Sequence, residues 1–184
     1  MTSKRIVYTC HDGSVSVCIP TDWAIKALAS GGFWGARPRG WYDRQVESQV
    51  ARGVLPDAAS RYVRAMITGG CTTAEALAII RDRDCAHLGT QIELQDASDL
   101  PADRWFRNAW SRSANGGPIG VNLELARPIQ WQKARDAVAA ANKQRAESFV
   151  AQGPIEPDWG TIRQAITNAR DEKELRAIWP KGVA

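Results

Sequence analysis

The sequence predicts an α+β fold: a small β-hairpin or sheet beside a mostly helical body, with one long helix and a C-terminal helical hairpin. Three observations carry this. Residues 5–19 alternate with a strand period around Asp12-Gly13. Residues 41–85 hold three apolar stripes at helical spacing, separated by Gly and Pro. Residues 128–150 form the longest unbroken helical pattern of the chain.

In order, Arg5-Ile6-Val7-Tyr8-Thr9-Cys10 is β-rich, and Ser14-Val15-Ser16-Val17-Cys18-Ile19 alternates. Ile6, Tyr8 and Cys10 share one face; Val15, Val17 and Ile19 share another. Pro20 ends the hairpin, and Thr21 or Asp22 caps a short helix, Trp23 to Ala29, closed by Gly31-Gly32. Phe33 to Gly40 is a loop of aromatic, Arg and Gly residues. That composition suits a contact surface centred on Phe33, Trp34, Arg37, Arg39 and Trp41, but a lid folded back on the core is the favoured reading, because single aromatics are usually buried.

Trp41 to Val54 reads as a helix with Val46, Val50 and Val54 at four-residue spacing. Asp57 is expected to cap Ala58 to Thr68, and Thr72-x-x-Glu75 is a capping box opening Thr73 to about Asp84. Two short helices joined by a Gly-containing turn also describe a helix-turn-helix DNA reader. The second helix offers few base-reading side chains before Arg81, so packing is the favoured reading. Gln91 to Gln95 is a third strand.

Leu100 to Trp110 is expected to be a short helix opened by Pro101, with Trp105, Phe106, Ala109 and Trp110 on one face. Trp105, Phe106, Trp110 and, further on, Trp131 are the expected core anchors, because large aromatics at helical spacing are usually packed. Asn115-Gly116-Gly117-Pro118 is a turn, and Ile119 to Leu123 a short strand. The long helix, Pro128 to Val150, carries Ile129, Trp131, Ala134, Val138, Ala141 and Phe149 inward, with an Ala-rich middle that suits a packed seam or an oligomer interface. Gly153-Pro154-Ile155-Glu156-Pro157 is a rigid linker. Asp158 and Asp171 then cap two short helices. The expected division is an α+β body over 1–152 and a helical docking tail over 153–184.

Composition narrows the function classes. The chain has 184 residues, a formal net charge of +4 and scattered arginines. A dedicated nucleic-acid binder usually shows a denser basic stripe, so nucleic acid is not the expected partner. No apolar run reaches the ~18–20 residues of a membrane span. Met1 to Arg5 leads straight into a strand without a signal-peptide core, which suggests a protein made in a cytoplasm. Cys10, Cys18, Cys71 and Cys85 with His11 and His87 lack zinc-site spacing, so neither metal nor cofactor is expected. Cys10 and Cys18 could face each other across the hairpin, but buried small apolar side chains are the favoured reading for all four cysteines. Cys85 or His87 with Asp82 or Asp84 makes a poor nucleophile–base pair, because near neighbours on a helix end point in different directions. No catalytic residue is expected.

Several stretches resemble a family of small phage and prophage late-gene proteins: the Ile-Val-Tyr-Thr hairpin with Asp-Gly and Val-Ser-Val, Leu100-Pro101-x-Asp103-Arg104-x-Phe106-Arg107-Asn108-Ala109-Trp110, the Leu123 to Arg127 segment, and the Glu174-Leu175-Arg176-Ala177-Ile178-Trp179-Pro180 end. The resemblance touches nearly the whole chain, its most specific part being the Asp-Arg-x-Phe-Arg-Asn-Ala-Trp block, and nothing is carried over onto residues 21–90. It implies a virion or virion-assembly role rather than an enzyme. On that basis the expected role is a structural or adaptor protein at the tail or fibre attachment, assembled in the host cytoplasm, with other phage structural proteins and further copies of itself as partners. A non-virion assembly chaperone is the alternative.

Overall fold

The computed structural model describes residues 3–35, 37, 38, 40–148 and 152–183. Arg39 and the expected helix end at Phe149 and Val150 lie outside the described residues. The described chain is α+β: seven helices, a three-stranded sheet and a separate two-stranded one. It divides into two compact units. One comprises residues 1–102 and 111–119, the other 103–110 and 120–184.

In the first unit, β1 (Lys4–Cys10) is the central strand, antiparallel to β2 (Val15–Cys18) and to β3 (Gly89–Asp96). The hairpin register sets Ile6 opposite Cys18 and Thr9 opposite Val15. Cys10 and Cys18 therefore do not face each other. Ile6 and Val7 are both fully buried, so β1 is covered on both faces. Asp12 stabilises the turn by accepting from the Ser14 amide and hydroxyl.

Four helices follow β2: α1 (Asp22–Ser30), α2 (Trp41–Val50), α3 (Pro56–Thr68) and, before β3, α4 (Thr73–Asp84). Thr21 caps α1, and Thr72 with Glu75 forms the complete capping box of α4. Two boundaries move from expectation. Helix α2 ends at Val50, because Gly53 turns the chain at φ 91°. Helix α3 starts at Pro56, with Leu55 as its cap and Asp57 inside the first turn. The core of this unit joins Ile6, Ile25, Leu28, Met66, Leu77, Ile80 and Cys85.

β4 (Trp110–Ser113) and β5 (Gly116–Val121) form the second sheet. Arg112 ties their hairpin to the first unit's sheet. Its side chain is fully buried, and it donates to Thr9 Oγ1 at 2.9 Å and to the Gln91 carbonyl, with Glu93 at 3.4 Å. Gln91 takes a left-handed φ of 52° at the point where the β1–β3 register shifts. From the other side, Glu93 accepts from the Gly117 amide. Gly116 holds a φ of 84°, which favours glycine, and a Cβ there would push the Glu93 carboxylate aside.

The second unit is built on α5 (Leu123–Ala146), with α6 (Trp159–Asn168) and α7 (Glu172–Ala177). The sequence reading set 153–184 apart as a tail; here those residues share a unit with the long helix. Helix α5 begins five residues before the expected Pro128. Asn122 caps it by accepting from the Glu124 and Leu125 amides, which offsets the one hydrogen bond that Pro128 removes inside the helix. The expected helix opened by Pro101 does not form. The Asp103 carboxylate instead accepts from the Trp105 amide at 2.8 Å, a local turn that competes with helix, and only a single 3-10 turn, Arg107–Ala109, follows before β4.

Candidate interaction surface

The aromatic loop is positioned by a backbone seam. The C-termini of α1 and α3 meet, and their main chains are laced together: Gly32 N donates to Ile67 O at 2.7 Å, Phe33 N to Met66 O at 3.2 Å, and Gly70 N to Ala29 O at 2.7 Å. Such an approach needs glycine. A Cβ on Gly31 would lie 2.2 Å from the Gly69 nitrogen, and one on Gly69 would lie 2.5 Å from the Gly31 nitrogen. Gly31 at φ 63° and Gly69 at φ 68° also hold backbone conformations that other residues adopt at a cost. The two Gly-Gly pairs that end helices in the sequence therefore do a second thing: they fix where Phe33 leaves the framework.

From that point a ladder of edge-to-face rings runs across the unit. Trp23 and Phe33 have centroids 4.8 Å apart, Phe33 and Trp34 6.4 Å, Trp34 and Trp41 4.8 Å, and Trp34 and Tyr62 6.2 Å. These separations lie in the range where aromatic quadrupoles attract. Two guanidinium groups sit on the rings, Arg37 at 5.3 Å from the Trp41 centroid and Arg83 at 4.0 Å from that of Tyr62. The inner end is anchored: Trp34 and Tyr62 pack against the core. The outer end is open, with Trp23 57% and Phe33 48% exposed. The loop is thus part lid and part surface.

Phe33, Trp34, Arg37 and Trp41 are brought together. Trp23 and Tyr62 belong with them and escaped the sequence reading. Trp23 was partly legible: it sits two residues before Ile25 and five before Leu28, off their face of α1, although the small buried Ala27 lies one turn along its own side.

The expected core anchors lie in the second unit. Phe106 is fully buried and Trp110 nearly so, while Trp105 and Trp131 are half-buried. Phe106 joins Ala109, Ala126, Ile166, Ala169 and Leu175 in one cluster, with Trp105 and Trp131 against it. Trp105 makes an edge contact with Trp179 at 5.7 Å, and Trp131 with Trp159 at 5.2 Å. Lys133 and Arg176 lie over the Trp105 ring at 4.4 and 5.0 Å. Gln130, fully buried, accepts from Trp105 Nε1 and donates to the Ile178 carbonyl, each at 2.7 Å. Nothing in the sequence marked Gln130, since a glutamine on a long helix is ordinarily solvated.

In the Cys85, His87, Asp82 and Asp84 group, both carboxylates are held by arginines. Asp82 is engaged by Arg61 and Arg81, Asp84 by Arg83, and Cys85 is buried. Among the described residues no three His, Cys, Asp or Glu stand together as a metal site, and no helix is long and apolar enough to cross a membrane. Comparison with protein-family models, curated proteins and solved structures finds no match to this chain.

Proposed function

We propose that this protein is a structural or adaptor component of a bacteriophage virion, at the tail or fibre attachment, and that it works by protein–protein contact rather than catalysis. The observation that supports this reading best is the Trp23–Phe33–Trp34–Trp41 ladder. Aromatic and arginine side chains, anchored at one end and open at the other, are what contact hot spots are made of. Their rings lose little conformational entropy on binding, since the edge contacts and the Gly31–Gly69 seam already hold them. The late-gene resemblance of the Asp103 to Trp110 block supplies the setting, and symmetric repetition of the chain would present the ladder many times over. The DNA-reading alternative finds little support, because Asp82 and Asp84 neutralise Arg61, Arg81 and Arg83 around α4.

The test is mass spectrometry of gradient-purified particles, with the copy number of this chain per particle. A stoichiometric, symmetry-matched count supports the virion component. Absence from washed particles with abundance in the lysate overturns it in favour of an assembly chaperone.

A further inference from the structure

The two ends of the aromatic ladder differ in charge. Beside the exposed rings of Trp23 and Phe33, Asp22 and Lys26 stand four residues apart on α1, so that end carries no net charge from the helix. The Trp41 end is cationic. The exposed Arg37 places its guanidinium 5.3 Å from the Trp41 centroid. The Arg44 side chain reaches back to Gly40, 3.5 Å from where a Cβ there would stand. Trp41 and Arg44 are i, i+3 neighbours on one side of α2, whereas Asp43 is turned to the other.

Among the described residues neither Arg37 nor Arg44 has a carboxylate partner. Arg83 makes the contrast: it lies over the Tyr62 ring but is held by Asp84. A guanidinium that rests on an indole face without an ion pair keeps its planar fork of N–H donors for an incoming acceptor, and that fork matches a carboxylate. The rings narrow the occupant further. Successive rings meet at interplanar angles between 65° and 82°, so they leave clefts between edges and faces rather than a row of parallel faces. Stacked nucleobases need an open face on each ring, and a face of Trp41 is already taken by Arg37. Clefts of this kind suit aliphatic, proline or aromatic side chains instead.

We propose that the ladder receives an acidic, apolar segment of a partner protein: an apolar side chain seats against Trp23 and Phe33, and one or more carboxylates meet Arg37 and Arg44. This assignment rests on the ladder being a contact surface, as above, and adds the chemistry of what it contacts. The path from Phe33 to Arg37 runs over Trp34 and Trp41 in steps of 6.4, 4.8 and 5.3 Å. An extended chain advances ~3.3–3.6 Å per residue, so the apolar anchor and the carboxylate stand no more than about five residues apart in the partner. The buried apolar contact carries most of the affinity, and the arginines set orientation and on-rate.

The experiment selects a library of random short peptides on the immobilised full-length chain, in parallel with Trp23→Ala/Phe33→Ala and Arg37→Glu/Arg44→Glu variants. Peptides retained by the wild type and lost by Trp23→Ala/Phe33→Ala should carry an apolar residue with Asp or Glu within about five positions of it. Arg37→Glu/Arg44→Glu should bind these peptides roughly tenfold more weakly and select Lys- and Arg-containing peptides in their place. Arg37→Lys/Arg44→Lys should keep the acidic preference at reduced affinity, because the charge remains and the fork is lost. The composition selected by the wild type is a test that needs no variant to fold. Selection of basic or uncharged peptides by the wild type, equal retention of the acidic peptides by Trp23→Ala/Phe33→Ala, no selection beyond the bare support, or ladder-dependent retention of oligothymidylate would each overturn the proposal. A chain that is stoichiometric in particles yet selects basic peptides refutes the partner chemistry alone. A chain absent from particles that selects acidic ones refutes the virion setting alone.

Discussion

Phe33 and Phe106 are the same residue in two opposite settings. Phe106 is fully buried in the second unit, in a cluster with Ala109, Ala126 and Leu175. Phe33 is half exposed in the first unit, although it too has aromatic neighbours and a main chain pinned in place. The contrast extends to the tryptophans. Trp105 satisfies its indole N–H on the buried Gln130, while Trp23 stands at the open end of a ladder. Aromatic content alone does not separate core from surface. What separates them is the shell: Phe106 joins a buried cluster of Ile166, Leu175 and three alanines, whereas Phe33 leaves a main-chain seam held by Gly31 and Gly69 and meets the rings of Trp23 and Trp34.

The largest expected break of this comparison is Phe106→Ala. It should cost about 3–5 kcal/mol, the range for emptying an aromatic core site, measured by denaturant unfolding. Next comes Gly69→Ala. A Cβ there meets the Gly31 backbone and sits at a positive φ, so a loss on the order of 3 kcal/mol is expected, with the exposed rings released from their framework. Gln130→Leu should cost about 1–3 kcal/mol, because Trp105 Nε1 and the Ile178 carbonyl both lose their partner. By contrast, Trp23→Ala and Phe33→Ala should each cost less than ~1 kcal/mol, as exposed positions do.

The smallest effect is an acid limb shared by both units. Bonding to the Thr72 amide and hydroxyl holds the Glu75 carboxyl below its usual range, and bonding to the Thr161 hydroxyl and amide does the same for Asp158. Each contribution is fully present above the unfolded carboxylate value of about 4 and fades as pH falls through the lower folded value. Asp158→Asn keeps an acceptor for the Thr161 amide and should flatten this limb in a plot of Tm against pH.

The parts of the fold that local chemistry controls were readable in advance. Thr72 with Glu75, Asp158 and Asp171 cap the helices they were expected to cap, and the Asp12-Gly13 hairpin and the strand around Ile92 form. Errors occurred where one local signal competed with another. Pro128 looked like a helix start, but Asn122 caps the helix a full turn earlier. Pro101 looked like another, but the Asp103 side chain turns the chain first. The site was legible as a composition, from Phe33 to Trp41, and not as a geometry. The meeting of Gly31 with Gly69 and the burial of Arg112 against Thr9 and of Gln130 against Trp105 join residues tens of positions apart, and no periodicity encodes them.

The most direct test of the ladder as a contact surface is the copy number of this chain in purified particles, measured for the wild type and for a Trp23→Ala/Phe33→Ala variant of matched Tm. A stoichiometric wild type with a variant that stays in the lysate is the predicted result. Equal incorporation of the two, or absence of both from the particle, would contradict it.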